Sequence, residues 1–169
     1  LKYLVDLENL SKGKTIIEIK DNTANPAPLG LLGFGLTALL LNVHNAGGYE
    51  MNSMLCAMGL VYGGASLIVA GVFEWKKNNL FGFIAFLSYG FFLWSLIFTT
   101  IIPKTGLVAA ADTKAMGFYM LIWGVFTLGM FVATLKKSPL ILVFMFGTVV
   151  VLFGLLALYF FTERPPVLI

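Results

Sequence analysis

The chain carries little that could make or break a covalent bond. It has a single histidine (His44), a single cysteine (Cys56) and eight acidic residues. None of these fall into a group with metal-ligand spacing or a nucleophile–base pairing. No Asp, Glu, Lys or Arg stands in the middle of any long apolar run, where such a charge usually marks an ion-coupled relay. The residues therefore argue against an enzyme, against a carboxylate proton relay and for a protein that works without metal or cofactor. What remains are hydroxyls, amides and aromatic rings set among apolar residues, among them Phe34, Thr37 and Asn42, then Ser88 and Tyr89, then Thr148 beside the aliphatic Val149. That mixture suits a conduction path for a small, weakly polar solute, in which apolar constrictions alternate with hydroxyl or amide donors.

The stretch that organises these residues is 25–49. It begins as a proline-stiffened turn and becomes an apolar helix with Gly30, Gly33 and Gly35 in its first turns. Pro26 and Pro28 can sit before or at the first helical positions, where a missing N–H does no harm, and Asn25 can cap. Free N–H groups at such a helix N-terminus favour anions. The three glycines lie on or near one face, so other backbone or a solute can come close there. His44 and Asn45 at the far end read equally as helix caps or as ligands for a solute.

Composition decides the setting. At 59% hydrophobic and 11% charged over 169 residues, with a mean hydropathy of +0.93, the chain departs far from the roughly 25% charged make-up of soluble domains. The expected fold is an all-α integral membrane bundle, since apolar runs approach the ~20 residues that span hydrocarbon. The net charge of +3 bears on topology, and nothing resembles a nucleic-acid surface. Cys56 reads as a small apolar residue.

Residues 1–24 carry charges of both signs and no sustained apolar core, so they read as a soluble N-terminal tail, with room for an amphipathic helix on the membrane surface. Residues 25–169 form the membrane domain. Spans are expected at about 29–43, 52–73, 80–102, 115–135 and 139–161, the first short for a bilayer. Glu74-Trp-Lys-Lys77 and Lys136-Lys137 end the second and fourth as interfacial anchors. Gly59, Gly63 and Trp123 read as helix packing, and Glu74 as a partner of Lys77 or of headgroups. The tail and these two loops hold eight lysines against Lys104, Lys114 and Arg164 on the other side, which places the N-terminus in the cytoplasm.

A weak repeat runs through the spans. Lys76-Lys77 and Lys136-Lys137 are 60 residues apart, and an offset of 55 carries Gly33-Phe-Gly35 onto Ser88-Tyr-Gly90. Odd helices then correspond to odd and even to even, so three odd helices ask for three even ones. A sixth span is expected beside the five visible.

Asn25-Pro-Ala-Pro-Leu-Gly-Leu-Leu-Gly-Phe-Gly35, followed by Leu41-Asn-Val-His-Asn-Ala-Gly47, closely resembles the signature of the acetate uptake transporter family, of the succinate–acetate permease type. The resemblance covers residues 25–161. It implies a six-span homo-oligomer, a hexamer in this family, in the cell membrane, moving acetate and possibly succinate through a pore in each protomer. It also implies a narrow constriction made by the Phe of Gly-Phe-Gly in the first helix, the Tyr of Ser-Tyr-Gly in the third and a Leu in the fifth. The first two match at Phe34 and Tyr89. The third falls on Val149 when a one-residue insertion near 137–139 is counted, and on Thr148 without it. Thr37, Asn42, Ser88, Thr148 and Asn25 are the further pore-lining or substrate-binding candidates. Transport is expected to be channel-like or proton-linked. Two rival readings are a channel for a neutral solute such as ammonia and a membrane sensor or assembly protein that transports nothing.

Overall fold

The computed structural model describes residues 3–5, 17–19, 23–135 and 139–162. Most of the tail, Lys136-Lys137 and the Pro-rich segment after Thr162 lie outside the described residues. Where the tail is described it forms no amphipathic helix. Tyr3–Val5 (β1) pairs antiparallel with Ile17–Ile19 (β2), consistent with the preference of aromatic and β-branched residues for extended backbone.

The body is five helices long and apolar enough to cross a membrane: α1 (Ala27–Asn45), α2 (Ser53–Lys76), α3 (Leu80–Ile101, running on as a 3₁₀ turn Ile102–Thr105), α4 (Thr113–Thr134) and α5 (Leu140–Thr162). The all-α expectation holds for this body. α1 is longer than its apolar pattern predicts, 19 residues, or about 28 Å at ~1.5 Å per residue. The helix starts before Pro28, because proline at the first helical positions loses no hydrogen bond.

Side-chain caps fix where the next helices begin. Asn52 Oδ1 accepts from Leu55 N at 3.2 Å, Asn79 Oδ1 from Gly82 N at 3.1 Å and Asp112 Oδ1 from Ala115 N at 2.6 Å, each satisfying a donor that the helix start leaves free. Between α2 and α3 the turn is tight, with Asn78 at φ 59°, a left-handed conformation that asparagine tolerates.

Backbones approach closely within α1, α2 and α3 and within α4 and α5, and the two groups meet chiefly through side chains. The first group is held by small residues. Gly33 lies against Ser66 and the Tyr62 carbonyl, and a Cβ at Gly63 would come within 2.6 Å of Thr37 Oγ1. Such faces let helices pack at van der Waals distance in lipid, where no hydrophobic drive joins them.

α2 is not a regular helix. Met58–Gly64 is π-helical, a wider i→i+5 turn that disturbs the normal ladder. Both neighbouring helices bond to carbonyls of this turn. Thr37 of α1 donates its hydroxyl to Met58 O at 3.3 Å, and Trp94 of α3 donates its indole N–H to Leu60 O at 2.7 Å.

Glu74 corrects a further expectation. It does not extend to headgroups or to Lys77, but is 4% exposed and accepts from Asn79 Nδ2 at 2.7 Å. Lys77 instead donates to the Thr23 carbonyl at 3.0 Å. The reason is steric and electrostatic together. Gly82 leaves room, since a Cβ there would come within 3.0 Å of the Glu74 carboxyl carbon, and the cap residue Asn79 has a spare N–H to satisfy a buried oxygen.

Candidate functional site

The three residues expected to form the constriction, Phe34 of α1, Tyr89 of α3 and Val149 of α5, are half-buried and pack against the same apolar cluster of Leu67, Phe92, Leu93, Met120, Phe153 and Ala157. The cluster draws on both helix groups, so it fills the seam between them. Aromatic rings supply much of the filling. Phe92 lies 4.9 Å from Trp123 and 5.2 Å from Phe153, centroid to centroid, in tilted and edge-on arrangements of the kind ring quadrupoles favour.

Hydroxyl bonds cross the seam from α3 to α4. Tyr89 donates to Thr127 Oγ1 at 2.8 Å, and Ser95 Oγ lies 2.6 Å from the Tyr119 hydroxyl. Thr127 passes its own proton to the Trp123 carbonyl at 2.7 Å. Tyr119, Trp123 and Thr127 recur every four residues, so they share one face of α4. That spacing is the signal by which Thr127 and Tyr119 could have been found beforehand; alone, each is an unremarked hydroxyl in an apolar run.

Other candidates land elsewhere. Thr37 is buried between α1 and α2, with its proton committed to Met58 O. It packs helices rather than facing the seam. Ser88 is half-buried, on the α3 face that also carries the exposed Ile84 and Phe91, one helical step from each. Thr148 is exposed and bonds back to the Phe144 carbonyl at 2.6 Å, so of the two alternatives on α5 it is Val149 that faces the cluster. Asn42 is exposed and bonds Ala38 O at 2.9 Å.

The α1 N-terminus is less rich in donors than its sequence implies. Ala27 N donates to Asn25 Oδ1 at 3.0 Å, Pro28 has no N–H, and Leu29 N donates to Pro26 O at 3.1 Å. Pro26, not Asn25, stands at the N-cap, and no side chain caps the helix. Asn25, one residue earlier, holds the Ala27 N–H in a local turn and so occupies a donor that an anion would have used. At the other end, His44 Nδ1 lies 2.7 Å from the Tyr49 carbonyl. A carbonyl only accepts, so Nδ1 carries the proton, and His44 ties down the loop after α1.

An open cavity of about 340 Å³ lies at the C-terminal end of α3, lined by Ser95, Phe98, Thr99, Ile102, Pro103, Ala109 and Ala111. Ser95 belongs both to this cavity and to the hydroxyl pair across the seam, so the cavity adjoins the cluster, on which Tyr119 packs. Among the described residues no group of three or more His, Cys, Asp or Glu could hold a metal ion.

Known proteins resemble the chain along most of its length. A protein of Methanothermobacter thermautotrophicus is 53% identical over 150 residues, covering 85% of this chain and 73% of its own length. The succinate-acetate/proton symporter SatP of Escherichia coli K12 is 50% identical over 135 residues, covering 80% of this chain and 71% of its own. The solved structure of the bacterial acetate channel SatP superposes with a TM-score of 0.80 at 47% identity, over 85% of this chain and 78% of that one. The profile of the GPR1/FUN34/yaaH family matches residues 9–169, and the chain belongs to that family.

Proposed function

We propose that the chain takes up acetate, and succinate with it, across the plasma membrane through a pore inside each protomer, its N-terminus in the cytoplasm. The observation that carries this is the meeting of Phe34, Tyr89 and Val149 on one cluster between the two helix groups. They come from three helices far apart in sequence, and together they make the narrow apolar point of the path. Acetate has a methyl end and a carboxylate end. An aromatic and aliphatic ring of side chains accepts the first and strips water from the second. The names of the E. coli relative and of the solved channel support acetate as the solute. The cavity beside Ser95 serves as a vestibule on the far side of the membrane.

A specific observation favours the proton-linked mode. The hydroxyl protons of Thr37 and Tyr89 are already committed to Met58 O and Thr127. Thr37 lies away from the seam, and a carboxylate at the constriction gains the Tyr89 proton only by breaking its bond to Thr127, while dehydrating a charge with no compensating bond is costly. Passage as the protonated acid avoids that cost and moves one proton with each acetate. The family resemblance supports a hexamer, and the exposed apolar rows on α5, with Phe144 at 71% and Leu140 at 82% exposure, are faces that lipid or neighbouring protomers cover.

Labelled acetate uptake into proteoliposomes tests the reading. Uptake is expected to saturate, to rise with an inwardly directed proton gradient and to be unmoved by excess ammonium. Competition by ammonium would favour a neutral-solute channel. Uptake no greater than that of empty vesicles, with folded protein, would end the transport reading.

A further inference from the structure

We propose that Thr127 is the positioning residue of the gate: its hydroxyl fixes the Tyr89 ring and thereby sets the width of the constriction. The inference rests on the reading of Tyr89 as part of that constriction. Thr127 does not meet the solute; it acts through the tyrosine.

The direction of the bonds follows from a count of protons. The Trp123 carbonyl can only accept, so the single proton of Thr127 goes to it at 2.7 Å. The lone pairs left on Thr127 Oγ1 then receive the Tyr89 O–H at 2.8 Å. Helical threonines commonly bond a carbonyl of the preceding turn, as Thr134 and Thr148 do here, and that alone signifies nothing. Thr127 differs because its oxygen also takes a hydroxyl from another helix, across the seam. It is 0% exposed, so no water competes for either bond.

The leverage lies at the far end of the ring. Phe126 meets Tyr89 edge-on with centroids 5.6 Å apart, and Phe146 lies 6.1 Å away. These contacts limit the ring but are non-directional, whereas the bond to Thr127 pins the hydroxyl, the point that moves most when the side chain swings. Cut at either end, the ring is free to turn within its aromatic cage and the gate loses its fixed width.

The test measures labelled acetate and labelled butyrate uptake by proteoliposomes holding wild-type protein, Thr127→Val, Thr127→Ser, Tyr89→Phe and the Thr127→Val/Tyr89→Phe double variant. Valine keeps the shape of threonine without the acceptor, serine keeps the acceptor, and phenylalanine removes the same bond from the other side. The butyrate-to-acetate ratio is expected to rise about fivefold in Thr127→Val and in Tyr89→Phe, roughly the factor that one ordinary hydrogen bond commands. The double variant is expected to match the singles, because both remove one interaction, and Thr127→Ser to restore the wild-type ratio. A wild-type ratio in folded Thr127→Val, or additive effects in the double variant, would overturn the proposal. If Thr127→Val fails to fold, a wild-type ratio in Tyr89→Phe overturns it equally. Wild-type protein that takes up no acetate would remove both this proposal and the transport reading, an outcome distinct from a normal wild-type rate with an indifferent Thr127→Val.

Discussion

Trp94 of α3 donates its indole N–H to the Leu60 carbonyl of α2 at 2.7 Å, joining a long aromatic side chain to the π-helical turn Met58–Gly64. Gly64 makes the approach possible, since a Cβ there would run into the indole ring. The half-buried indole thus finds its acceptor on the π turn. Replacing Trp94 with phenylalanine keeps the apolar bulk and removes the donor. Trp94→Phe is expected to lower stability by about 0.5–1.5 kcal/mol, the worth of one ordinary hydrogen bond, because the Leu60 carbonyl still accepts the Ala65 N–H; the loss is read as a fall in the unfolding midpoint in detergent. Trp75→Phe, at a residue 64% exposed, is the matched control and is expected to leave the midpoint unchanged.

The glycines of α1 divide into two kinds. A Cβ at Gly33 collides with the Ser66 hydroxyl and the Tyr62 backbone carbonyl, while one at Gly35 meets nothing within 4 Å. Gly33→Ala is therefore expected to destabilise by about 1–3 kcal/mol as α1 is pushed from α2. Gly35→Ala is expected to stay within about 0.5 kcal/mol of wild type. Thermal unfolding of the two variants side by side checks the difference, and equal midpoints would count against the packing described for α1.

Glu74 and Asn79 latch the α2–α3 hairpin from within, the carboxylate accepting at 2.7 Å while Asn79 Oδ1 caps Gly82 N. Glu74→Ala removes the acceptor of the Asn79 amide, and because Asn79 itself is exposed and water can take the freed N–H, the change is expected to cost about 0.5–1.5 kcal/mol. Glu74→Gln keeps an acceptor oxygen in the same volume and is expected to recover most of that loss. Differential scanning fluorimetry on both variants tests the latch; an unaltered midpoint in Glu74→Ala would show it idle.

The spans were legible in the sequence because charge-free runs of membrane length have few other readings. Their ends were read less well. α1 extends through Pro28 where the apolar pattern alone starts later. Phe34, Tyr89 and Val149 were reachable through a resemblance, yet their meeting on one cluster depends on how two helix groups abut, which no local pattern encodes. The four-residue spacing in α4 marks the face of Thr127, but not its partner, which lies 38 residues away. Glu74 was misjudged for a related reason. A charge beside Lys77 at a helix end looks interfacial, and only the bare Gly82 on the next helix makes an inward pocket for it. The π turn was invisible, since Gly59, Gly63 and Gly64 fit an ordinary packing motif as well.

The central claim is that acetate passes a constriction framed by Phe34, Tyr89 and Val149. The most direct measurement compares labelled acetate and butyrate uptake in proteoliposomes for wild-type protein, Phe34→Ala and Val149→Leu. Phe34→Ala is expected to raise the butyrate-to-acetate ratio by about tenfold, in line with what apolar pockets discriminate per methylene, and Val149→Leu to lower it. A ratio identical in all three proteins, each taking up acetate and each folded, would mean that the solute goes by another path.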